Sequence, residues 1–161
     1  MNIYTLIHND HAKAKEVIRK IKALPDSEHK TRHKLFYPLK EDLITHNEAE
    51  EETFYVALME HAKTKKDAKH SEHEHHEAAD VIDKLDDEEM PAAKWRAKFD
   101  ELCESLMHHI DNEESCIFKE AREVLSDATA VKLATEMDQL KKKKKPLAER
   151  AHQENMAAHR H

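Results

Sequence analysis

Residues 10–21 read DHAKAKEVIRKI, and residues 74–85 read EHHEAADVIDKL. Each stretch begins with an acidic residue and a histidine, and each ends in an apolar pair, a polar pair and a final apolar residue. A second motif follows each stretch at nearly the same distance: residues 46–50 read HNEAE, and residues 109–113 read HIDNE. The chain therefore contains an internal repeat, and a repeat decides the architecture before any single motif does. Each unit is predicted to be two helices, so that two units form a helical bundle.

The composition also favours an all-α fold. The chain has 161 residues with no glycine and only four prolines, and charged residues make up 38% of it. Without glycine, tight hairpin turns are difficult to build, whereas amphipathic helices with solvated faces suit this many charges. A chain of this length is sufficient for one domain with a substantial core.

Charge and hydropathy argue against several classes of function. The net charge of −7 disfavours nucleic acid as the main partner. No stretch approaches the roughly eighteen apolar residues of a membrane span, so we expect no membrane insertion. The first residues lack the features of a signal peptide. Cys103 and Cys116 fall about 20 Å apart on one predicted helix, too far to form a disulfide, and this favours a cytoplasmic location.

Five helices are predicted from the spacing of apolar residues and from the prolines that interrupt it. The four longer helices form a bundle in residues 1–125. Residues 126–161 add a short C-terminal helix that Pro146 ends, followed by a frayed tail. Pro38 is expected to kink the second helix or to mark its start, and short connections place consecutive helices antiparallel. The predicted helices span residues 3–24, 28–62, 66–85, 92–125 and 128–145.

Six polar residues occupy positions where the helical pattern requires apolar side chains: His11, His46, Glu50, His75, His109 and Glu113. A carboxylate moved into a core costs several kcal/mol unless it is paired or bound to a metal. Residues four apart lie on one helix face, so the histidine and the glutamate of each HxxxE motif can share a site. Four imidazoles and two carboxylates are too many ligands for one tetrahedral zinc. They suit two octahedral ions, each with two histidines and both bridged by the glutamates.

With these motifs, the chain resembles the hemerythrin-like, or HHE cation-binding, family from about Ile3 to Leu125. The resemblance rests on Asp10-His11, on Glu74-His75 and on the two HxxxE motifs with the aromatic residues that follow them. It implies an up-down-up-down four-helix bundle with a non-haem di-iron centre. Iron is the metal that the resemblance implies, with manganese and zinc as alternatives.

The chain also differs from the oxygen-carrying hemerythrins. Those proteins place two histidines four residues apart on the third helix, whereas neither residue four positions from His75 is a histidine here. They also carry a histidine and an aspartate five apart on the fourth helix, whereas the internal repeat here favours Glu113, four residues after His109. The chain is thus more similar to bacterial members that repair iron–sulfur clusters or decompose peroxide.

Three functions are compatible with such a centre. The first is binding or processing of dioxygen, peroxide or nitric oxide in the response to oxidative or nitrosative stress, with or without enzymatic turnover. The second is a reversible oxygen or nitric oxide sensor or carrier. The third is metal storage, in which the His-rich segment 70–76 would gather ions.

Several polar residues near the six are predicted to stay outside the metal site. His76, His108 and Glu114 are offset from the inward helix faces and from the repeat register. The other histidines of segment 70–76 are interpreted as part of a solvated helix face. Lys141 to Lys145 are interpreted as the cationic C-terminus of the fifth helix, with a nucleic-acid or lipid patch as the alternative.

Overall fold

The structure, a computed structural model, describes the backbone of residues 1–159 and the side chains of these residues other than 155, 158 and 159. Residues 160 and 161 of the predicted frayed tail lie outside the described residues. Within the described part the regular secondary structure is all helical, as predicted, and no helix there is long and apolar enough to cross a membrane. The helical segments are α1 (Ile3–Lys22), α2 (His29–Glu50), π1 (Glu51–Tyr55), α3 (Val56–Met59), α4 (Ala62–Leu85), α5 (Ala92–Asn112), π2 (Glu113–Ile117), α6 (Phe118–Val124) and α7 (Asp127–His159).

Two of the predicted helices contain a π-helical turn at the repeated motif. Residues 29–59 form one continuous helix in which π1 directly follows Glu50, and residues 92–124 form another in which π2 begins at Glu113. Pro38 lies inside the first of these helices and therefore does not mark its start. π-Helical turns are rare and occur frequently at functional sites. The internal repeat thus extends to the local backbone, a feature that hydrophobic periodicity does not predict.

The C-terminal helix is longer than the sequence predicts. α7 continues through Pro146 to His159, so the predictions that Pro146 ends it and that the described residues beyond are frayed are wrong. A proline inside a helix costs roughly 3 kcal/mol, and the packing of α7 along α1 and α2 offsets this cost. His152 is buried there, with its Nδ1 3.3 Å from Oδ2 of Asp86. Because Lys141 to Lys145 lie within α7, their interpretation as a helix C-terminus is also wrong.

Two apolar clusters form the core, and the six polar residues lie between them. The first cluster includes Ile7, Phe54 and, from α7, Met137, and the second includes Trp95 and Phe99. The helices that contribute the six residues (α1, α2 with π1, α4, and α5 with π2) carry residues of both clusters on either side of the polar layer. α1 and α4 lead from the first cluster to the second, and α2 and α5 lead back. Apolar packing on both sides therefore positions the polar layer.

Candidate metal centre

The six residues predicted to bind metal converge in this layer. All are buried, and none exposes more than 6% of its surface. Their donor atoms fall into two groups, and within each group all donor atoms lie within 4.8 Å of one another. The first group is His11, His46, Glu50 and Glu113, and the second is Glu50, His75 and His109. Glu50 belongs to both groups, which is the arrangement expected of a carboxylate shared by two ions.

Glu50 faces one histidine from each repeat unit. Its Oε2 lies 3.6 Å from Nε2 of His46, and its Oε1 lies 3.3 Å from Nε2 of His75. Nε2 of His75 in turn lies 3.1 Å from Nε2 of His109. At this distance at least one of the two nitrogens presents a lone pair to the other, because two N–H groups would repel. Lone pairs and a carboxylate that point at one another in this way suit a cation between them.

Glu113 occupies the equivalent position in the second repeat unit. Its Oε1 lies 3.2 Å from Nε2 of His11, and its Oε2 lies 3.9 Å from Nε2 of His109. Oε2 also accepts a hydrogen bond from the hydroxyl of Tyr55, which is fully buried. Tyr55 stacks on His75, and its hydroxyl lies 3.5 Å from Nε2 of that histidine.

The sequence pattern does not predict Tyr55 as a site residue. Tyr55 stands five positions after Glu50, and in an α-helix those two residues would face different sides. The wider turn of π1 brings the two side chains toward one face, because a π-helix repeats closer to every fifth residue. The π turn therefore places a hydroxyl among the donor atoms.

Several of the buried donor atoms have no hydrogen-bond partner among the described residues. They are Nε2 of His46, both carboxylate oxygens of Glu50 and Oε1 of Glu113. Buried polar atoms nearly always have a hydrogen-bond partner, so these four atoms leave room for a further partner beside the imidazoles that face the carboxylates. Imidazole and carboxylate together suit iron, manganese and zinc. A bound cation would satisfy these atoms, so the residues present fit a metal centre.

Each of the four histidines has a carboxylate at its outer ring nitrogen. The pairs, with the distance from Nδ1 to the carboxylate oxygen, are His11 with Glu114 (2.8 Å), His46 with Asp10 (2.8 Å), His75 with Glu51 (3.3 Å) and His109 with Glu74 (3.0 Å). A carboxylate that accepts a hydrogen bond from Nδ1–H fixes the tautomer of the imidazole. The lone pair of Nε2 then points toward the site. These carboxylates directly precede a leading histidine or directly follow a motif glutamate, so the same arrangement occurs in both repeat units.

Each of these four carboxylates also contacts a second basic residue. Three of these basic residues are exposed histidines, and the fourth is a lysine of α7. The contacts are Glu114 with His8 (2.5 Å), Glu51 with His76 (3.6 Å), Glu74 with His70 (3.8 Å) and Asp10 with Lys141 (2.6 Å).

Two of the residues predicted to stay outside the ligand set lie one and two contacts away from a ligand candidate. Glu114 bonds to a ligand candidate, and His76 contacts Glu51. His108 is exposed and belongs to neither donor group. That these three residues do not bind the metal stays a prediction.

The carboxylates of the site favour the protonated forms of His46 and His75. Burial works against protonation of His46, but Glu50 and Asp10 outweigh it and raise its pKa to about 10. Burial likewise opposes protonation of His75, and Glu50 and Glu51 raise its pKa to about 9. Burial alone would raise the pKa of Glu50, yet the imidazoles of His46 and His75 hold it well below its usual range. Without a metal the layer therefore holds protons, and a cation must compete with them.

Two cavities border the cluster. Cavity A has a volume of about 300 Å³ and is lined by His11, His46 and His109, by apolar residues of α1, α2 and α5, and by polar residues of α7. Cavity B has a volume of about 410 Å³, runs along α4 and α5, and is lined by His75 and His109. Small molecules therefore have a route toward each donor group.

Comparisons with known proteins agree with this geometry. Residues 2–121 match the family described as Hemerythrin HHE cation binding domain. Among solved structures, the chain is similar to a hemerythrin HHE cation binding domain-containing protein from Mycobacterium kansasii, with 24% identity and a TM-score of 0.78 over 91% of this chain and 88% of that one. This likeness shows the fold, and no curated protein matched the chain.

The resemblance found in the sequence is confirmed, because the family match covers most of the chain and the fold agrees with it. The buried histidine and glutamate cluster lies at or before residue 113, within the matched region. Family and cluster together indicate metal-ion binding. The chain belongs to the hemerythrin HHE cation-binding domain family.

Proposed function

We propose that the chain holds two iron ions in the polar layer, and that this di-iron centre binds and processes a small ligand such as dioxygen, peroxide or nitric oxide in the response to oxidative or nitrosative stress. One observation carries the proposal: Glu50 and Glu113 each face one histidine from each repeat unit. Such a pair of carboxylates can bridge two ions, with two imidazoles left for each.

The directions of the helices also support a specific bundle topology. α1 and α4 lead from one apolar cluster to the other, and α2 and α5 lead back. We therefore propose an up-down-up-down four-helix bundle, with α7 packed along α1 and α2. In this arrangement all four helices carry their donor residues to one level of the core.

The number of protein donors favours reactivity over storage. Two imidazoles and two shared carboxylates give each ion four protein donors, whereas an octahedral ion has six positions. The remaining positions are available to solvent and to an incoming ligand. When bound, iron supplies Lewis acidity and one-electron redox chemistry. Manganese and zinc accept the same donor types, so metal analysis is part of the test.

The residues of the chain have three roles around such a centre. The four outer carboxylates orient the histidines through Nδ1. The two apolar clusters enclose the polar layer from both ends of the bundle. The hydroxyl of Tyr55 donates its one hydrogen bond to Oε2 of Glu113 and so holds that carboxylate in position.

The experiment is anaerobic loading of the purified chain with ferrous iron, followed by elemental analysis and an optical spectrum before and after addition of each ligand. We expect two irons per chain and a spectral change with at least one of dioxygen, peroxide and nitric oxide. His109→Ala should weaken the binding of one ion. His108→Ala is the matched control, because His108 is its exposed neighbour outside both donor groups. One iron per chain, or a loaded protein that responds to none of the three ligands, would refute the proposal.

A further inference from the structure

The two cavities beside the metal centre differ in charge. Cavity A is lined by four lysines and three aspartates: Lys13, Lys141, Lys142, Lys145, Asp10, Asp42 and Asp138. Cavity B is lined by four glutamates and by no lysine or arginine: Glu74, Glu77, Glu101 and Glu104. A small anion is therefore repelled along cavity B and meets a mixed, slightly cationic lining in cavity A.

Lys141 holds a special position among the lysines of cavity A. Its ammonium lies 2.6 Å from both carboxylate oxygens of Asp10, and Asp10 also accepts the Nδ1 hydrogen bond of His46. Its side chain is only 23% exposed, so solvent screens its charge less than that of the exposed lysines nearby. The other three outer carboxylates contact exposed histidines instead. Lys141 thus places a permanent cation beside one of the four ligand histidines.

Asp10 and Lys141 form a close ion pair whose charges nearly cancel. Without Lys141, the negative charge of Asp10 would remain unbalanced at the end of cavity A near His46. Lys141 therefore removes a charge that would repel an incoming anion. Because Asp10 accepts hydrogen bonds from Lys141, it accepts a weaker one from Nδ1 of His46. His46 is then a weaker electron donor, and an ion bound to it attracts an anion more strongly. Both effects of Lys141 favour the binding of an anion.

We propose that Lys141 is a specificity-determining residue that selects small monoanions as ligands of the metal centre and draws them through cavity A to the side of His46. This inference rests on the proposed function, since it requires a loaded centre. Lys141 belongs to α7 and lies beyond the residues that match the family. The selectivity is thus a property that the C-terminal helix adds to the family domain.

Azide titration of the iron-loaded, oxidised protein tests the proposal, with the metal content of every variant measured first. Lys141→Met should weaken azide binding by roughly 3- to 10-fold, as expected for the loss of one partly screened charge near the ligand. Lys141→Arg should restore affinity close to that of the wild type. Lys143→Met is the matched control, because Lys143 is exposed, carries the same charge on the same helix and does not line cavity A.

Nitric oxide binding to the reduced protein provides the second readout. Nitric oxide is neutral, so Lys141→Met should leave its affinity unchanged. Equal weakening of nitric oxide and azide, an equal loss of azide affinity in Lys143→Met, loss of metal in Lys141→Met, or unchanged azide binding in Lys141→Met would each overturn the inference while leaving the proposed function in place. A wild-type protein that fails to hold two irons would overturn the proposed function and this inference with it.

Discussion

Replacing Glu50 with alanine should remove both metal ions, whereas replacing any one of the four ligand histidines should weaken the binding of a single ion. Glu50 belongs to both donor groups, and its two oxygens lie 3.6 Å from Nε2 of His46 and 3.3 Å from Nε2 of His75. Each histidine belongs to one group only. Glu113→Ala should resemble Glu50→Ala, because the oxygens of Glu113 also face two histidines from different repeat units.

The size of the effect follows from charge and burial. Two unit charges about 4 Å apart interact by about 4 kcal/mol at an effective dielectric constant of about 20, and a divalent ion doubles this value. Roughly half of that attraction is offset by the hydration that the fully buried Glu50 gives up. The remaining 4 kcal/mol or so corresponds to roughly a thousandfold loss of affinity for each ion. A histidine is a neutral ligand, so its loss removes no charge and affects one ion.

The assay is equilibrium dialysis of the metal-free variants against ferrous iron in the presence of a competing chelator, with metal measured by elemental analysis. Glu48→Ala is the matched control, because Glu48 is on the same helix, carries the same charge and is 53% exposed in its side chain. Circular dichroism should show that the helices persist in Glu50→Ala, since apolar clusters pack on both sides of the site.

Three results would refute this reasoning. Retention of two ions at wild-type affinity by Glu50→Ala would show that Glu50 is not a ligand. Loss of one ion with full retention of the other would show that it serves a single ion. Complete unfolding of the metal-free wild type would show that the metal, rather than the packing of the two clusters, supplies most of the stability, as in small zinc domains.

Three further predictions concern protons and packing. Because burial is outweighed by the nearby carboxylates, the pKa of His46 is raised to about 10 and that of His75 to about 9, so metal loading at neutral pH should release protons. Metal affinity should fall as the pH drops below about 10, where these imidazoles begin to bind protons. Calorimetry in buffers of different ionisation enthalpy measures this, and an affinity that does not vary with pH would contradict it. Tyr55→Phe should lower the free energy of unfolding of the metal-free protein by about 1–3 kcal/mol in a urea titration, because Oε2 of Glu113 loses its donor. His152→Ala should lower it by about 1 kcal/mol, and no change would show that the end of α7 adds nothing to stability.

Much of the fold could be predicted from the sequence because the repeat and the apolar spacing describe the same geometry. The predicted helix 92–125 differs from the observed helix 92–124 by one residue. Pro91 precedes its first residue, and the polar residues Ser126 and Asp127 follow its end. The length of α7 could not be predicted, because it depends on contacts between residues distant in sequence. His152 reaches Asp86, 66 residues away in the chain, and local propensity at Pro146 carries no information about that contact.

The candidate site could likewise be predicted from the sequence only in part. The six central residues are recognisable because each replaces an apolar side chain in a regular stripe, and the structure brings all six together in two groups. Tyr55 could not be recognised, because π1 changes the helix phase after Glu50. The outer carboxylates could have been found by asking which acidic residues recur in the repeat, since Asp10 matches Glu74 and Glu51 matches Glu114 in position. Lys141 has no counterpart in the repeat and offered no such signal.

The position of Lys141 makes the surroundings of the two repeat units unequal. The two repeat units supply equivalent histidines and carboxylates, so on their own they would make two equivalent metal positions. α7 lies outside the repeat, and of the four outer carboxylates it contacts Asp10, through Lys141. One histidine pair therefore has a lysine beside one of its outer carboxylates, whereas the outer carboxylates of the other pair contact exposed histidines. A helix outside the repeat can thus distinguish two positions that the repeat would leave alike.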